Sequence, residues 1–200
     1  MSNIVHLMMA AGASNRMGKP KQLLPWGDIT LIEHQISILL KTNQPISVVL
    51  GAYAEKIRKV IENFPIDIYI NEEWQKGMGS SIASGVKQLL AKDSTIDGVL
   101  ISLIDQPLIS ATHFKKMLRH FETGKDQIIV SKSKDEWSGV PVLFDAVYFN
   151  ELINLKGDDG AKVIIKKHRN SVNYIDSKNS LKDIDTAKAY LVLLNLNSKK

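Results

Sequence analysis

The segment Ile4–Ala10 is apolar at every position except His6, and it runs without a break into a loop of small residues, Ala11-Gly12-Ala13-Ser14. The cations Arg16, Lys19 and Lys21 follow at once. An apolar run of this length reads as a strand. A strand that ends in Ala, Gly and Ser presents backbone N–H groups with little side-chain bulk around them, so an anion can come close. With mobile positive charge a few residues on, the combination describes a cradle for a polyphosphate at the carboxyl end of a strand, where ligands sit in open α/β sheets. Two familiar phosphate patterns do not fit. Gly12 and Gly18 lack the Walker spacing, and the second glycine of the dinucleotide fingerprint is missing.

The rest of the chain alternates in the same style. The pattern predicts strands at Ile4–Ala10, Ile46–Leu50, Asp67–Ile70 and Gly98–Ile104, with helices at Leu31–Lys41, Ala54–Asn63, Gly79–Leu90 and Thr112–Phe121. Pro25-Trp26-Gly27-Asp28 reads as a turn. Beyond about residue 125 the pattern loosens. Strands are expected at Gln127–Ser131, Val140–Phe144 and Ser171–Ile175, and helices at Ala146–Leu155, Gly160–His168 and Thr186–Leu194, with a frayed tail. Apolar strands alternating with helices imply an α/β domain with a mostly parallel sheet covered on both faces. The reading is one domain over residues 1–200, with a nucleotide-binding half to about 125 and an acceptor half over about 126–194.

Composition removes several function classes. There is no cysteine, which excludes disulfides, thiolate metal sites and a cysteine nucleophile. No apolar stretch is long enough to span a membrane. The N-terminal apolar run is short and lacks a basic leader, so a cytoplasmic protein is expected. The net charge of +5 is mostly lysine, spread along the chain and locally balanced. The densest cluster, Lys166-Lys167-His168-Arg169, suits the basic end of a helix and has no aromatic residues interleaved for base stacking. A polyanionic small molecule, rather than nucleic acid or membrane, is the expected partner. The five histidines are scattered without metal spacing, and no serine sits in a G-x-S-x-G elbow, so the histidines read as structural.

Asp105 directly follows an apolar strand and precedes Gln106-Pro107. A carboxylate there is placed to hold Mg²⁺ on nucleotide phosphates, which takes one or two protein carboxylates beside phosphate oxygens and water. It could equally turn the chain ahead of Pro107. Asp183-Ile184-Asp185-Thr186 offers a second carboxylate, although Asp185 is also suited to cap the following helix. Asn71 and Gly77-Met78-Gly79-Ser80-Ser81 come after the third strand. The glycines permit close backbone approach, and either serine can meet a base edge; a serine-capped helix start is the alternative.

From Ala10 to Lys21 the chain reads A-A-G-x-S-x-R-M-G-x-P-K, followed by Gln22-Leu23-Leu24-Pro25. This resembles the signature of nucleotidyltransferases, and more narrowly of the molybdenum-cofactor cytidylyltransferase and guanylyltransferase group. The resemblance implies a Rossmann-like three-layer sandwich of the nucleotide-diphospho-sugar transferase type. It puts the nucleotide on Ala10, Ala11, Gly12, Ala13, Ser14, Arg16, Lys21, Asn71, Gly79, Ser80 and Ser81, with Arg16, Lys21 and Asp105 catalytic. The metal, Mg²⁺ with Mn²⁺ as substitute, falls on Asp105 and Asp185. The acceptor falls near Gly139, Pro141 and Asp158, through segments resembling the family's G-H-P and L-x-G-D-x-G-A elements. Val140 departs from the first of these, standing where many members carry histidine. Members using GTP tend to have a glycine at the place of Ala11 and an aspartate near Lys19-Pro20. This chain has neither, so the implied donor is CTP. The implied acceptor is molybdopterin, with a molybdoenzyme or cofactor chaperone receiving the product. A different nucleoside triphosphate with a sugar-phosphate acceptor is the alternative within the class. A non-catalytic nucleotide-binding module for cofactor maturation is the alternative outside it.

Overall fold

Ile4–Ala10 is buried at all seven positions, because both faces of the strand it forms are covered. The computed structural model describes residues 2–133, 138–178 and 180–197. In chain order the elements are β1 (Ile4–Ala10), β2 (Pro25–Trp26), β3 (Ile29–Thr30), α1 (Leu31–Leu40), β4 (Ile46–Leu50), α2 (Ala54–Ile61), β5 (Asp67–Ile70), α3 (Met78–Lys92), β6 (Gly98–Leu103) and α4 (Ala111–Arg119). Then come β7 (Ile128–Lys132), β8 (Ser138–Asp145), α5 (Phe149–Leu152), α6 (Lys162–Lys167), β9 (Val172–Asp176) and α7 (Ala187–Asn197).

Seven strands form one sheet in the order β5-β4-β1-β6-β8-β7-β9. Neighbours are parallel except where β8 runs against β6 and β7. The alternation along β1 divides the core. Ile4, Met8 and Ala10 pack under α1, α2, α4 and α7, while Val5, Leu7 and Met9 pack under α3, α5 and α6. Helix α1 starts with a capping box: the Thr30 N–H donates to Glu33 at 2.8 Å, and the Thr30 hydroxyl accepts from the Glu33 N–H at 3.4 Å. The chain steps from β1 to β4 and β5 on one side, then crosses to β6 on the other. That reversal opens a crevice at the carboxyl end of β1, the place where such sheets bind ligands.

The expected mostly parallel α/β fold is the one found. The differences are local. The expected turn at Pro25–Asp28 is a small hairpin of β2 and β3. The helix expected over Ala146–Leu155 is reduced to a 3-10 turn, Ala146–Tyr148, and the four residues of α5. Asp145 bonds the Val147 N–H and the Tyr148 hydroxyl donates to the Asp126 carbonyl, so local polar contacts compete with helical continuation. Among the described residues no helix is long and apolar enough to cross a membrane.

Two histidines lie inside this core. His6 on β1 meets Thr42 Oγ1 at 3.0 Å and packs edge-on to Phe114, and His113 on α4 meets Ser131 Oγ at 2.8 Å. Burial lowers the His6 pKa from 6.5 to about 3, and burial with the Lys116 charge lowers that of His113 to about 4. Unfolding restores both to ordinary values. Between these limits the unfolded chain therefore binds more protons, and the stability carried by neutral burial, complete above pH 6.5, is lost as pH falls. We expect the urea midpoint to drop steadily from about pH 7 to about pH 5, and His6→Leu to flatten part of that slope. A midpoint insensitive to pH in this window would contradict neutral burial.

Candidate active site

The loop after β1 is shaped by the buried side chain of Gln22. Its Nε2 donates to the carbonyls of Ala10 at 2.7 Å and Gly12 at 3.0 Å, while the Ala11 carbonyl accepts from the Ala52 N–H at 2.9 Å. Three consecutive carbonyls are thus turned into the protein. The N–H side of the loop is left to a cleft of about 500 Å³, lined by Gly12, Ala13 and Ser14. Ser14 adopts φ 57°, and its hydroxyl accepts from the Lys21 N–H at 3.1 Å, which returns the chain to the cleft with Lys21 in place.

Lys21 Nζ lies 3.1 Å from Asp105 Oδ2 and 3.1 Å from Asp185 Oδ1. Arg16 reaches the same Asp185 oxygen at 3.4 Å from a far more exposed position, 74% against 12% for Lys21. Burial raises the Asp105 pKa, an effect opposed by the Lys21 charge and reinforced by Asp183 and Asp185. Asp105 Oδ1 is buried without a hydrogen-bond partner. One backbone bond and one side-chain bond bring these carboxylates together. The Ile184 N–H donates to the Asp105 carbonyl at 2.8 Å, and Gln106 Nε2 donates to Asp183 Oδ1 at 2.9 Å. Ile184 itself is fully buried and anchors the segment.

The alternative role of Asp185 is filled by another residue, whereas Asp105 does lie in the turn that follows β6, with its side chain against Lys21. Helix α7 is capped by Thr186, whose hydroxyl accepts from the Ala189 N–H at 3.1 Å, so Asp185 is left to Lys21 and Arg16. Helix α4 is capped by Ser110. Two hard, anionic oxygen donors converging on one cation, one of them with an unpaired buried oxygen, fit a divalent metal of the Mg²⁺ or Mn²⁺ kind.

The Asn71 constellation is built differently from its reading in the sequence. Asn71 is buried behind the cleft, where its Nδ2 donates to Ser80 Oγ at 3.1 Å and Ser81 Oγ at 3.0 Å. Ser80 spends its proton on the Gly77 carbonyl at 2.8 Å, and of the two serines Ser81 lines the cleft. The close approach that Gly77 and Gly79 permit is that of their own chain. Gly77 has φ 101°, and a Cβ on Gly79 would stand 2.7 Å from the Lys156 carbonyl. The Gly79 N–H donates to the Gly157 carbonyl at 2.8 Å. This packing delivers Asp158 to the cleft, next to Gly77. Ala10 sits beneath the loop, and Val140, rather than Gly139 or Pro141, lines a neighbouring hollow. Sequence reasoning missed Gln22, Gln106 and Met78 as parts of this site. The polar Gln22 in an otherwise apolar Leu-Leu-Pro context was the available signal.

A phosphate-sized loop at the topological switch point, faced by a lysine and two carboxylates, is the arrangement of a nucleotidyltransferase. The chain belongs to the MobA-like NTP transferase domain family, whose model matches residues 6–172. It is 30% identical to the nicotine blue oxidoreductase of Paenarthrobacter nicotinovorans over 200 residues, 96% of each chain. It is 28% identical to a probable molybdenum cofactor guanylyltransferase of Bacillus cytotoxicus over 132 residues, 64% of this chain and 62% of that one. Among solved structures it resembles Rv0371c of Mycobacterium tuberculosis, with a TM-score of 0.84, 25% identity and coverage of 97% and 98%. That protein has also been solved in complex with manganese.

Replacing Lys21 by Ala removes the charge that Asp105 and Asp185 share. Affinity for Mn²⁺ alone, without nucleotide, is expected to rise roughly tenfold, the scale of one partly screened charge–charge interaction. Electron paramagnetic resonance titration reads this directly, and unchanged affinity would show that the two carboxylates do not act on one cation.

Proposed function

We propose that this nucleotidyltransferase moves CMP from CTP onto the phosphate of an acceptor, most closely the molybdenum cofactor, and releases pyrophosphate. The observation that carries the reading is the meeting of Lys21, Asp105 and Asp185 at the mouth of the Ala11–Ser14 loop. The relative named as a molybdenum cofactor guanylyltransferase supports the acceptor, and Ala11 with Lys19-Pro20 supports CTP over GTP.

In this reading the N–H groups of Gly12, Ala13 and Ser14 bind the β- and γ-phosphates, because Gln22 and Ala52 have already taken the neighbouring carbonyls. Arg16, exposed at the cleft edge, closes over the same phosphates. Lys21 sits deeper and meets charge growing on the α-phosphate, where a fixed donor in a partly desolvated site acts most strongly. Asp105 and Asp185 hold the divalent cation, Mg²⁺ or Mn²⁺. Once bound, that cation neutralises charge on the triphosphate and its leaving group. An oxygen of the acceptor phosphate forms the new bond to the α-phosphorus. The bond from the α-phosphorus to the bridging oxygen breaks, and its electron pair leaves with pyrophosphate. The acceptor is already an oxyanion, so no general base is needed.

Calorimetry with CTP, GTP, ATP and UTP in the presence of Mg²⁺ tests the donor, and Asp105→Asn tests the metal role. CTP is expected to bind best, and Asp105→Asn to weaken it by at least about tenfold. Lys21→Ala is expected to cut turnover by about 10²–10³-fold, with a far smaller change in nucleotide binding. Equal losses in turnover and binding would remove Lys21 from the chemical step. Absence of metal-dependent binding of any nucleotide would overturn the proposal.

A further inference from the structure

Beside the cleft lies a hollow of about 290 Å³, and the two share Met78, Leu103 and Asp158. Its floor is Ile101 and Leu103 of β6 with Val140 of β8, and Ile82, Val163 and Ile165 of the flanking helices complete the apolar lining. The charged residues at this hollow are Asp158 and Asp159, on the segment leading into α6, and Lys162, the first residue of that helix. Val140 faces it by alternation with Val142 and Phe144, which pack on the same side of the sheet, and it lies beside an irregularity in strand pairing. Strand β8 pairs with β6 as far as Ile101–Val142, and its register with β7 shifts between Val130–Val142 and Ser131–Gly139, which leaves Val140 inside the shift.

We propose that this annex holds the body of the acceptor, that it favours a phosphate monoester whose body lays the face of a ring or chain on these side chains over one that presents sugar hydroxyls there, and that Val140 sets this preference. The inference rests on the nucleotidyl-transfer reading. If the acceptor phosphate reacts beside Lys21, the remainder of the acceptor needs space continuous with the cleft, and the annex supplies it through Met78 and Leu103. A sugar hydroxyl laid over Ile101, Leu103 and Val140 would surrender its water and find no side-chain partner on that floor. An apolar ring or chain gives up nothing there and gains contact. Asp158, Asp159 and Lys162 border the annex at one end and leave its floor uncharged. A polar side chain at position 140 would reverse the preference, because a site built to hydrogen-bond a hydroxyl discriminates strongly in favour of it.

The probes are 1-naphthyl phosphate and glucose 1-phosphate, titrated into the full chain with Mg²⁺ and a non-hydrolysable CTP analogue bound. Calorimetry measures affinity, and saturation-transfer NMR shows whether the ring protons touch protein. We expect naphthyl phosphate to bind at least about tenfold more tightly, Val140→His to lower that ratio by about fivefold or more, and Val140→Leu to preserve it. Binding of the CTP analogue serves as the check that each variant is folded and its cleft intact. With that binding intact, equal affinity for the two probes, no binding of either, or an unchanged ratio in Val140→His would overturn the annex while leaving nucleotidyl transfer standing. Failure of the CTP analogue and of every other nucleotide to bind would overturn both.

Discussion

One ammonium group ties the site together. Lys21 Nζ touches Asp105 at the end of β6 and Asp185 ahead of α7, while the Lys21 N–H is held by Ser14 in the loop after β1. Three stretches far apart in sequence meet at that charge. Two carboxylates brought this close repel each other, and burial already disfavours the charged form of Asp105. The ion pairs do not by themselves explain why the carboxylates stay together, since desolvation offsets much of what such pairs gain. The explanation lies in the contacts that flank them. The bond from Ile184 to the Asp105 carbonyl, the burial of Ile184 and the Gln106–Asp183 contact hold both segments in register whatever occupies the space between the carboxylates. A scaffold that imposes the repulsion in advance spares the reaction the work of assembling it.

The same logic sets the loop that faces the carboxylates. A loop of Ala, Gly and Ser has only the Ser14 hydroxyl with which to fix its own shape. Gln22 supplies the fixing from outside by taking two carbonyls. The N–H groups are thereby aimed before any anion arrives, and the cost of ordering them falls on folding rather than on binding. This arrangement needs a rigid platform, which β1 provides, flanked on both sides by parallel strands and covered on both faces.

What was legible in the sequence follows from where each signal resides. The strands Ile4–Ala10, Ile46–Leu50 and Asp67–Ile70 end where their apolar or β-branched runs end, because burial on the sheet is written in composition. Asp105 and Asp185 were legible as carboxylates at the ends of structured runs. That Thr186 and not Asp185 caps α7 was not, since either residue has the chemistry to do it and only the backbone geometry decides. Gly77 and Gly79 announced a close approach without saying by what. The visitor is the turn at 156–159, nearly eighty residues away, and no local pattern carries such a contact. Gly139 and Pro141 drew attention through their motif, yet alternation along β8 turns Val140, between them, toward the hollow.

The packing of Gly77 and Gly79 on that turn also couples the two ends of the site. Asp158 borders both the cleft and the annex, and it is carried by the turn against which α3 begins. The first turn of α3 in turn supplies Met78 to both spaces and Ser81 to the cleft. Any side chain at Gly79 would drive the start of α3 away from the turn and move the walls of both spaces at once. The two ends nevertheless differ in kind. The proposed phosphate end consists of backbone N–H groups and four charged side chains, Arg16, Lys21, Asp105 and Asp185, a chemistry indifferent to what the acceptor carries beyond its phosphate. The annex is lined by aliphatic side chains on two strands and two helices, and of these Val140, Val163 and Ile165 line it without lining the cleft. With the acceptor body in the annex as proposed, reaction type and acceptor choice rest on largely different side chains of one rigid unit, so that sequence change at Val140 would redirect the acceptor while the transfer chemistry stays the same.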